Sequence, residues 1–189
     1  MLFNSYSFIF IFLPTTLFFY WFSSLERSEY AITWLIVASF IFYGWWNYHY
    51  VYLLLASILA NYLIGKLLIK KNGATQKFKL LILILGVGFN LGLLGYFKFS
   101  NFLIETVNII SNKSFQPITI LLPLAISFFT FQQVSFLVEV SQGKIKKNNF
   151  IHYLLYVSFF PQLIAGPIIR YQEIVPQFKI SNQWRLISD

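Results

Sequence analysis

Residues 117–171, PITILLPLAISFFTFQQVSFLVEVSQGKIKKNNFIHYLLYVSFFPQLIAGPIIRY, decide how this chain folds. Two apolar runs are interrupted here by Pro123, by the pair Gln132–Gln133, by Glu139, and by the cluster Pro161, Gln162, Gly166, Pro167 and Arg170. In hydrocarbon a helix satisfies its own backbone, so prolines, glycines and amides at depth persist only against protein or a watery cavity. The stretch therefore reads as the wall of an internal pathway.

The rest of the chain sets that wall in a membrane. Of 189 residues, 58% are hydrophobic, 21% aromatic and 11% charged, and the mean hydropathy is +0.67. Such a composition lies well outside that of soluble domains and implies an all-α, polytopic helical membrane protein with about six membrane segments. With no cysteine, disulfides, thiolate nucleophiles and cysteine-ligated zinc are all excluded. The net charge of +8 comes from Lys and Arg in short connectors that make no basic face, so it points to membrane topology and away from nucleic acid.

The first apolar run, Tyr6 to Phe22, lacks the cationic start and small-residue cleavage site of a signal peptide, and Pro14 should kink it. A second run, Ala31 to Trp46, ends in FYGWWNYHY at 42–50, an aromatic belt suited to a tight turn at one interface. Runs three and four are Val51 to Leu68 and Leu80 to Phe97. Gly88 and Gly92 in the latter have the small-xxx-small spacing that seats a neighbouring helix, and the glycines of this run do not fit a dinucleotide fingerprint. Residues 99–110 read as an interfacial amphipathic helix, and Asn112-Lys113-Ser114 is a weak glycosylation match. Runs five and six are Ile118 to Val140 and Phe150 to Ile169.

Charge sets an expected orientation. Connectors 23–30, 66–79 and 141–149 hold Arg27, Lys66, Lys70, Lys71, Lys77, Lys79, Lys144, Lys146 and Lys147, whereas the other side holds Lys98 and Lys113. The positive-inside rule puts the first group in the cytoplasm and the amino-terminus outside. Strict alternation would leave Arg170, Lys179 and Arg185 outside. A sixth segment that dips in and returns, broken at Pro161 and Gly166-Pro167, removes the discord; a full crossing with an external cationic tail is the alternative.

Few side chains carry obvious chemistry. No Gly-x-Ser-x-Gly, HExxH or phosphate loop occurs, and His49 and His152 have no carboxylate near in sequence to orient them. Gln132 and Gln133 point about 100° apart on a helix, so at least one turns inward, either lining a polar passage or bonding helix to helix. Glu139 is expected to meet water or Lys144. Arg170 either grips an anionic group such as a phosphate or anchors at the interface.

Several blocks in order resemble one family: MLFNSYSFIFIFLP at the start, the FYGWW turn, LGYFKFSNF at 94–102, LPLAISFFTFQQVSFLVEV at 122–140, and FFPQLIAGPIIRYQEIVPQF at 159–178. They are similar to the amino-terminal half of membrane-bound O-acyltransferases, in the branch of the alginate and other polysaccharide O-acetyltransferases. The resemblance implies residues 1–189 to be the amino-terminal portion of one such domain, the carboxy-terminal half and its catalytic histidine being absent. It further implies helices around a tunnel lined by Gln132, Gln133, Gln162, Gly166, Pro167 and Arg170. No bound cofactor is implied; the donor would be an acyl-CoA or acyl-carrier thioester. The acceptor would be an extracytoplasmic polysaccharide reached through a partner protein, at the bacterial inner membrane. A small transporter or channel, and a non-catalytic assembly subunit, are the competing readings. A transporter would show internal duplication, which residues 1–95 and 96–189 lack.

Overall fold

The computed structural model describes residues 4–26, 28–70, 75–111, 116, 121–166 and 169–178, and these are helical almost throughout, with no strand among them. A π-helical turn, Ser7–Phe12, leads into α1, Leu13–Glu26. The expected Pro14 kink is realised as this π turn: the Leu13 N–H reaches back to the Phe8 carbonyl, just ahead of the proline that has no N–H to give. Next come α2, Ser28–Trp46, and α3, His49–Lys70. The turn between them is tight, and the Asn47 side chain accepts the His49 N–H at 3.0 Å.

Helix α4 runs unbroken from Gln76 to Ser111. The separate interfacial helix expected at 99–110 is thus the end of α4, because nothing between Lys98 and Ser111 breaks a helix. At 36 residues it is about 54 Å long, well beyond a bilayer's hydrocarbon core. Helix α5, Ile126–Ser141, is shorter than the run 118–140 suggested, because the chain around Pro123 is not helical and Ala125 takes a left-handed conformation, φ 57°. The sixth run divides into α6, Phe150–Ser158, and α7, Phe160–Ala165; α8, Tyr171–Phe178, follows.

Three helical stretches are long and apolar enough to cross a membrane: Phe8–Leu25, His49–Lys70 and Gln76–Ser111. Together with the all-helical fold they make this an all-α membrane protein. Helix α2 is 19 residues long and is tipped by Ser28–Glu29 and Trp45–Trp46, polar-ended residues that suit the interface. The fifth and sixth runs are short and broken.

Helices α3, α4, α5 and α6 share one core around Leu54, Ile58, Phe136, Leu137, Tyr153 and Tyr156. Close approach depends on two glycines. A Cβ at Gly65 would sit 2.6 Å from the Phe136 ring, and one at Gly86 would sit 2.7 Å from Leu137. The expectation for Gly88 and Gly92 is not met among the described residues: a Cβ at either, or at Gly95, meets none of them within 4 Å. Which glycines seat a helix depends on how α4 is rotated, and its buried face runs through Gly86, Asn90 and Leu94.

The basic connectors gather at one end of the core. Gly65, near the Lys66–Lys70 end of α3, lies by Asn148. Gln76 and Lys79 of α4 share a small cavity with Ser141. At the other end Tyr50 packs on Phe97, its ring centroid 6.0 Å away.

Candidate functional site

The amides of α5 face two different neighbours, as the 100° between adjacent helical residues requires. Gln133, fully enclosed, joins α5 to α3 and, through Asn61, to α4. Its carbonyl accepts from Asn61 Nδ2, and its own amide donates to Ser57 Oγ at 3.1 Å. Asn61 Nδ2 also approaches Asn90 Oδ1 at 3.1 Å, while Asn90 Nδ2 donates to Asn61 Oδ1 at 2.6 Å and to the Gly86 carbonyl at 2.8 Å. This is a closed polar knot across three helices. Charge-free amides suit it, since each side chain both donates and accepts.

Gln132 turns to α6 instead. Its Nε2 donates to the Tyr156 carbonyl at 3.5 Å, and the Tyr156 hydroxyl lies 3.4 Å from the Gln132 carbonyl and donates to that of Ile169 at 3.1 Å. Gln132 Oε1 is buried and finds no partner among the described residues. Two turns further along the same face of α5, Glu139 is buried, with Oε1 4.0 Å from Arg170 Nε. Lys144, the partner expected for Glu139, gives its backbone N–H to the Glu139 carbonyl at 3.0 Å, and its charge acts on the carboxylate after that of Arg170. Arg170 wins because the chain after α7 comes back to this end. Its guanidinium keeps most of its surface open.

Residues 150–166 and 169–170 thus leave one end of the core and come back to it, the path that the re-entrant reading expects. Phe150 begins near Tyr62, ring to ring at 5.0 Å, and Tyr171 ends up against Phe136 at 5.2 Å, both near the Glu139 end. The chain breaks at Phe159 (φ −55°, ψ 105°), two residues ahead of Pro161. Pro161 fits the first turn of α7, where a missing N–H costs nothing, so the break falls upstream of it. Gln162 is buried on α7, and Gly166 ends that helix in an extended conformation with its N–H on the Gln162 carbonyl. A Cβ at Gly166 would crowd Gln162 backbone at 2.8 Å. Pro167, also expected in the lining, lies outside the described residues, as do Arg27, Lys71, Lys113, Asn112–Ser114 and the tail from Lys179.

The backbone groups freed by these irregular segments are answered by hydroxyls that the sequence reading did not single out. Ser39 Oγ on α2 accepts the Phe160 N–H at 3.2 Å, and Tyr156 takes the Ile169 carbonyl. Ahead of α5, Tyr43 donates to the Leu124 carbonyl at 3.0 Å and Tyr50 to that of Leu121. Non-helical backbone is tolerated at membrane depth only with such partners. Intramembrane Ser39, Asn61 and Asn90 were visible as polar residues in apolar runs; their partners were not. The irregular segment 122–125 and the start of α5 border a cavity of about 250 Å³ that Leu163 closes from α7.

At the basic end, burial raises the Tyr171 phenol to about 12 while a backbone hydrogen bond with Asn149 pulls the other way, so Tyr171 stays a neutral hydrogen-bonding group. His49 is exposed and lies tilted against Tyr48, ring centroids 4.0 Å apart, and His152 sits half-buried at the start of α6.

Comparison with known proteins now bears on this geometry. The family model for the membrane-bound O-acyltransferase family matches residues 121–187, the segment holding the strained start of α5, the polar seam and the re-entrant excursion. The chain is 37% identical to a peptidoglycan O-acetyltransferase of Helicobacter pylori, over 96% of this chain and 39% of the relative. To a probable alginate O-acetylase of Pseudomonas aeruginosa it is 39% identical, over 94% of this chain and 34% of the relative. A shorter match, 37% over 29% of the chain, is to a teichoic acid D-alanyltransferase of Lacticaseibacillus rhamnosus. The chain thus spans little more than a third of the length of the relatives that it matches almost throughout. No solved structure matches it. The chain is similar along nearly its whole length to the amino-terminal part of these O-acetyltransferases, and over residues 121–187 to the membrane-bound O-acyltransferase family.

Proposed function

We propose that residues 1–189 are the amino-terminal part of a single membrane-bound O-acyltransferase domain. The complete protein would move an acetyl group from a cytoplasmic thioester, on coenzyme A or an acyl carrier, to an extracytoplasmic polysaccharide such as alginate or peptidoglycan. The setting is a bacterial inner membrane with the amino-terminus outside, and a partner protein receives the acyl group beyond the membrane. The observation that carries this reading is the alignment of 94–96% of the chain with relatives named as polysaccharide O-acetyltransferases.

The structure supports it in kind. Transfer across a bilayer needs protein-lined, partly hydrated backbone within the membrane, and the seam from Gln132 to Arg170 with the excursion 150–170 has that character. In this reading Gln132, Gln162, Gly166, Pro167 and Arg170 border the passage. Gln133 contributes by holding α5 in place. The reaction also needs a base for the acceptor hydroxyl and a donor for the developing oxyanion. Both are assigned to the later part of the complete protein.

Radiolabelled acetyl transfer in membranes tests this. The complete gene product supplied with a thioester donor and polysaccharide should transfer label, and the 189-residue chain alone should not. Turnover by the isolated chain would overturn the assignment of the base, and no transfer by the complete protein from any thioester would overturn the function.

A further inference from the structure

A third cavity, of about 300 Å³, lies between the π turn with α1 and the antiparallel α2. Its walls are Ile11 and Thr15 on one side and Trp34, Ala38, Ile41 and Trp45 on the other. Ala38, buried at the back of the space, is the one small residue of the α2 wall, set among the large Trp34, Ile41 and Trp45.

Ser7 and Thr16 also line the groove, but its two central polar groups are spent within the helices. Thr15 Oγ1 donates to the Ile11 carbonyl at 2.6 Å, and Trp34 Nε1 donates to the Thr16 carbonyl at 3.0 Å. A polar ligand would find little to bond, and water entering would lose hydrogen bonds. The mouth is apolar too: Ile11 is 66% exposed, Ile41 48% and Trp45 63%. These residues belong to, or pack beside, a stretch that is long and apolar enough to cross the bilayer, so the groove is continuous with the surface that meets lipid.

Its dimensions fit one leaflet. Trp34 and Trp45 are eleven residues apart on α2, which is about 16 Å along the axis, close to half of the roughly 30 Å hydrocarbon core. Trp45 lies at the aromatic turn 42–50, where headgroups are expected, and Trp34 lies deeper. We propose that this groove binds a single acyl chain of a membrane phospholipid, entering at Trp45 and ending at Trp34. The site is independent of the transferase reading.

The chain can be reconstituted in phosphatidylcholine vesicles with or without bromine at mid-chain, Trp34 being kept as the sole tryptophan by Trp→Phe changes at 21, 45, 46 and 184. Bromine should quench Trp34 at least two-fold. Ala38→Phe, which fills the groove, should restore most of the signal, and Val37→Phe, the same bulk on the exposed side, should not. If Ala38→Phe alters the circular dichroism, Ile41→Phe serves in its place. Native mass spectrometry should show one retained phospholipid that the filled variants lose. Unquenched Trp34 would mean that protein covers the groove, and equal quenching in parent and filled variants would mean contact with bulk lipid only; either result overturns the proposal.

Discussion

Arg170 Nε lies 4.0 Å from Glu139 Oε1, tying the point where the re-entrant excursion emerges to the last turn of α5. The two ends differ in character: the carboxylate is nearly buried, and the guanidinium is largely in water. The pair is therefore neither a free surface contact nor a fully desolvated bridge. It fixes which end of the molecule residues 150–170 return to, and with it the side on which the following chain leaves.

Removing the arginine should hurt more than neutralising the acid. Arg170→Met leaves a buried carboxylate without its partner and should cost about 1 kcal/mol, whereas Glu139→Gln puts a neutral amide in the same place and should cost less. Denaturant unfolding of the two single variants and the double variant measures this. An Arg170→Met variant as stable as the parent would show that the pair contributes nothing. Added salt should narrow the difference, because the exposed guanidinium is open to screening.

The knot of Asn61, Asn90 and Gln133 behaves as a unit. Asn90→Leu strands the amide of Asn61 and should destabilise the chain by about 1–3 kcal/mol. Adding Asn61→Leu should then cost less than it does alone, with a coupling on the order of 0.6 kcal/mol, the size found for interhelical bonds in membranes. A thermodynamic cycle from unfolding in bicelles gives the number, and strict additivity would show that these amides do not act together.

Gly65 of α3 and Gly86 of α4 should respond oppositely to Gly88 and Gly92 of α4. Gly86→Leu drives a side chain into Leu137 and Ile64, and Gly65→Leu drives one into Phe136, each costing about 1–3 kcal/mol. Gly88→Leu and Gly92→Leu enter open space and should leave the thermal midpoint of this chain within a degree or two of the parent's. If Gly88→Leu melts as low as Gly86→Leu, the rotation of α4 described above is wrong.

Ala125 holds a left-handed conformation just before α5. Glycine tolerates that geometry freely, so Ala125→Gly should be neutral or mildly stabilising, and β-branched Ala125→Val should cost about 1–3 kcal/mol. Melting of the two variants in detergent decides it, and the reverse order would show that Ala125 is not held left-handed.

Much of this architecture was legible in the residues themselves. The apolar runs, the aromatic turn at 42–50 and the asymmetry of Lys and Arg come from composition along the chain, and each reflects a local preference for hydrocarbon, interface or water. The break in the sixth run was legible for the same reason, because proline and glycine act on their own backbone. Its position was not: Phe159 yields and Pro161 does not, since Pro161 is comfortable in the first turn of a new helix.

What the amino-acid order determined alone is that this chain is helical, membrane-embedded and interrupted after residue 117, because burial of apolar side chains and satisfaction of the backbone are settled within each segment. Only the tertiary structure decided that Gln133 bonds helices while Gln132 faces the seam, that Gly65 and Gly86 admit neighbours while Gly88 and Gly92 do not, and that Glu139 meets Arg170. Those outcomes hang on the rotation of each helix about its own axis. That angle is set by the whole set of neighbours at once, and no single stretch of sequence carries it.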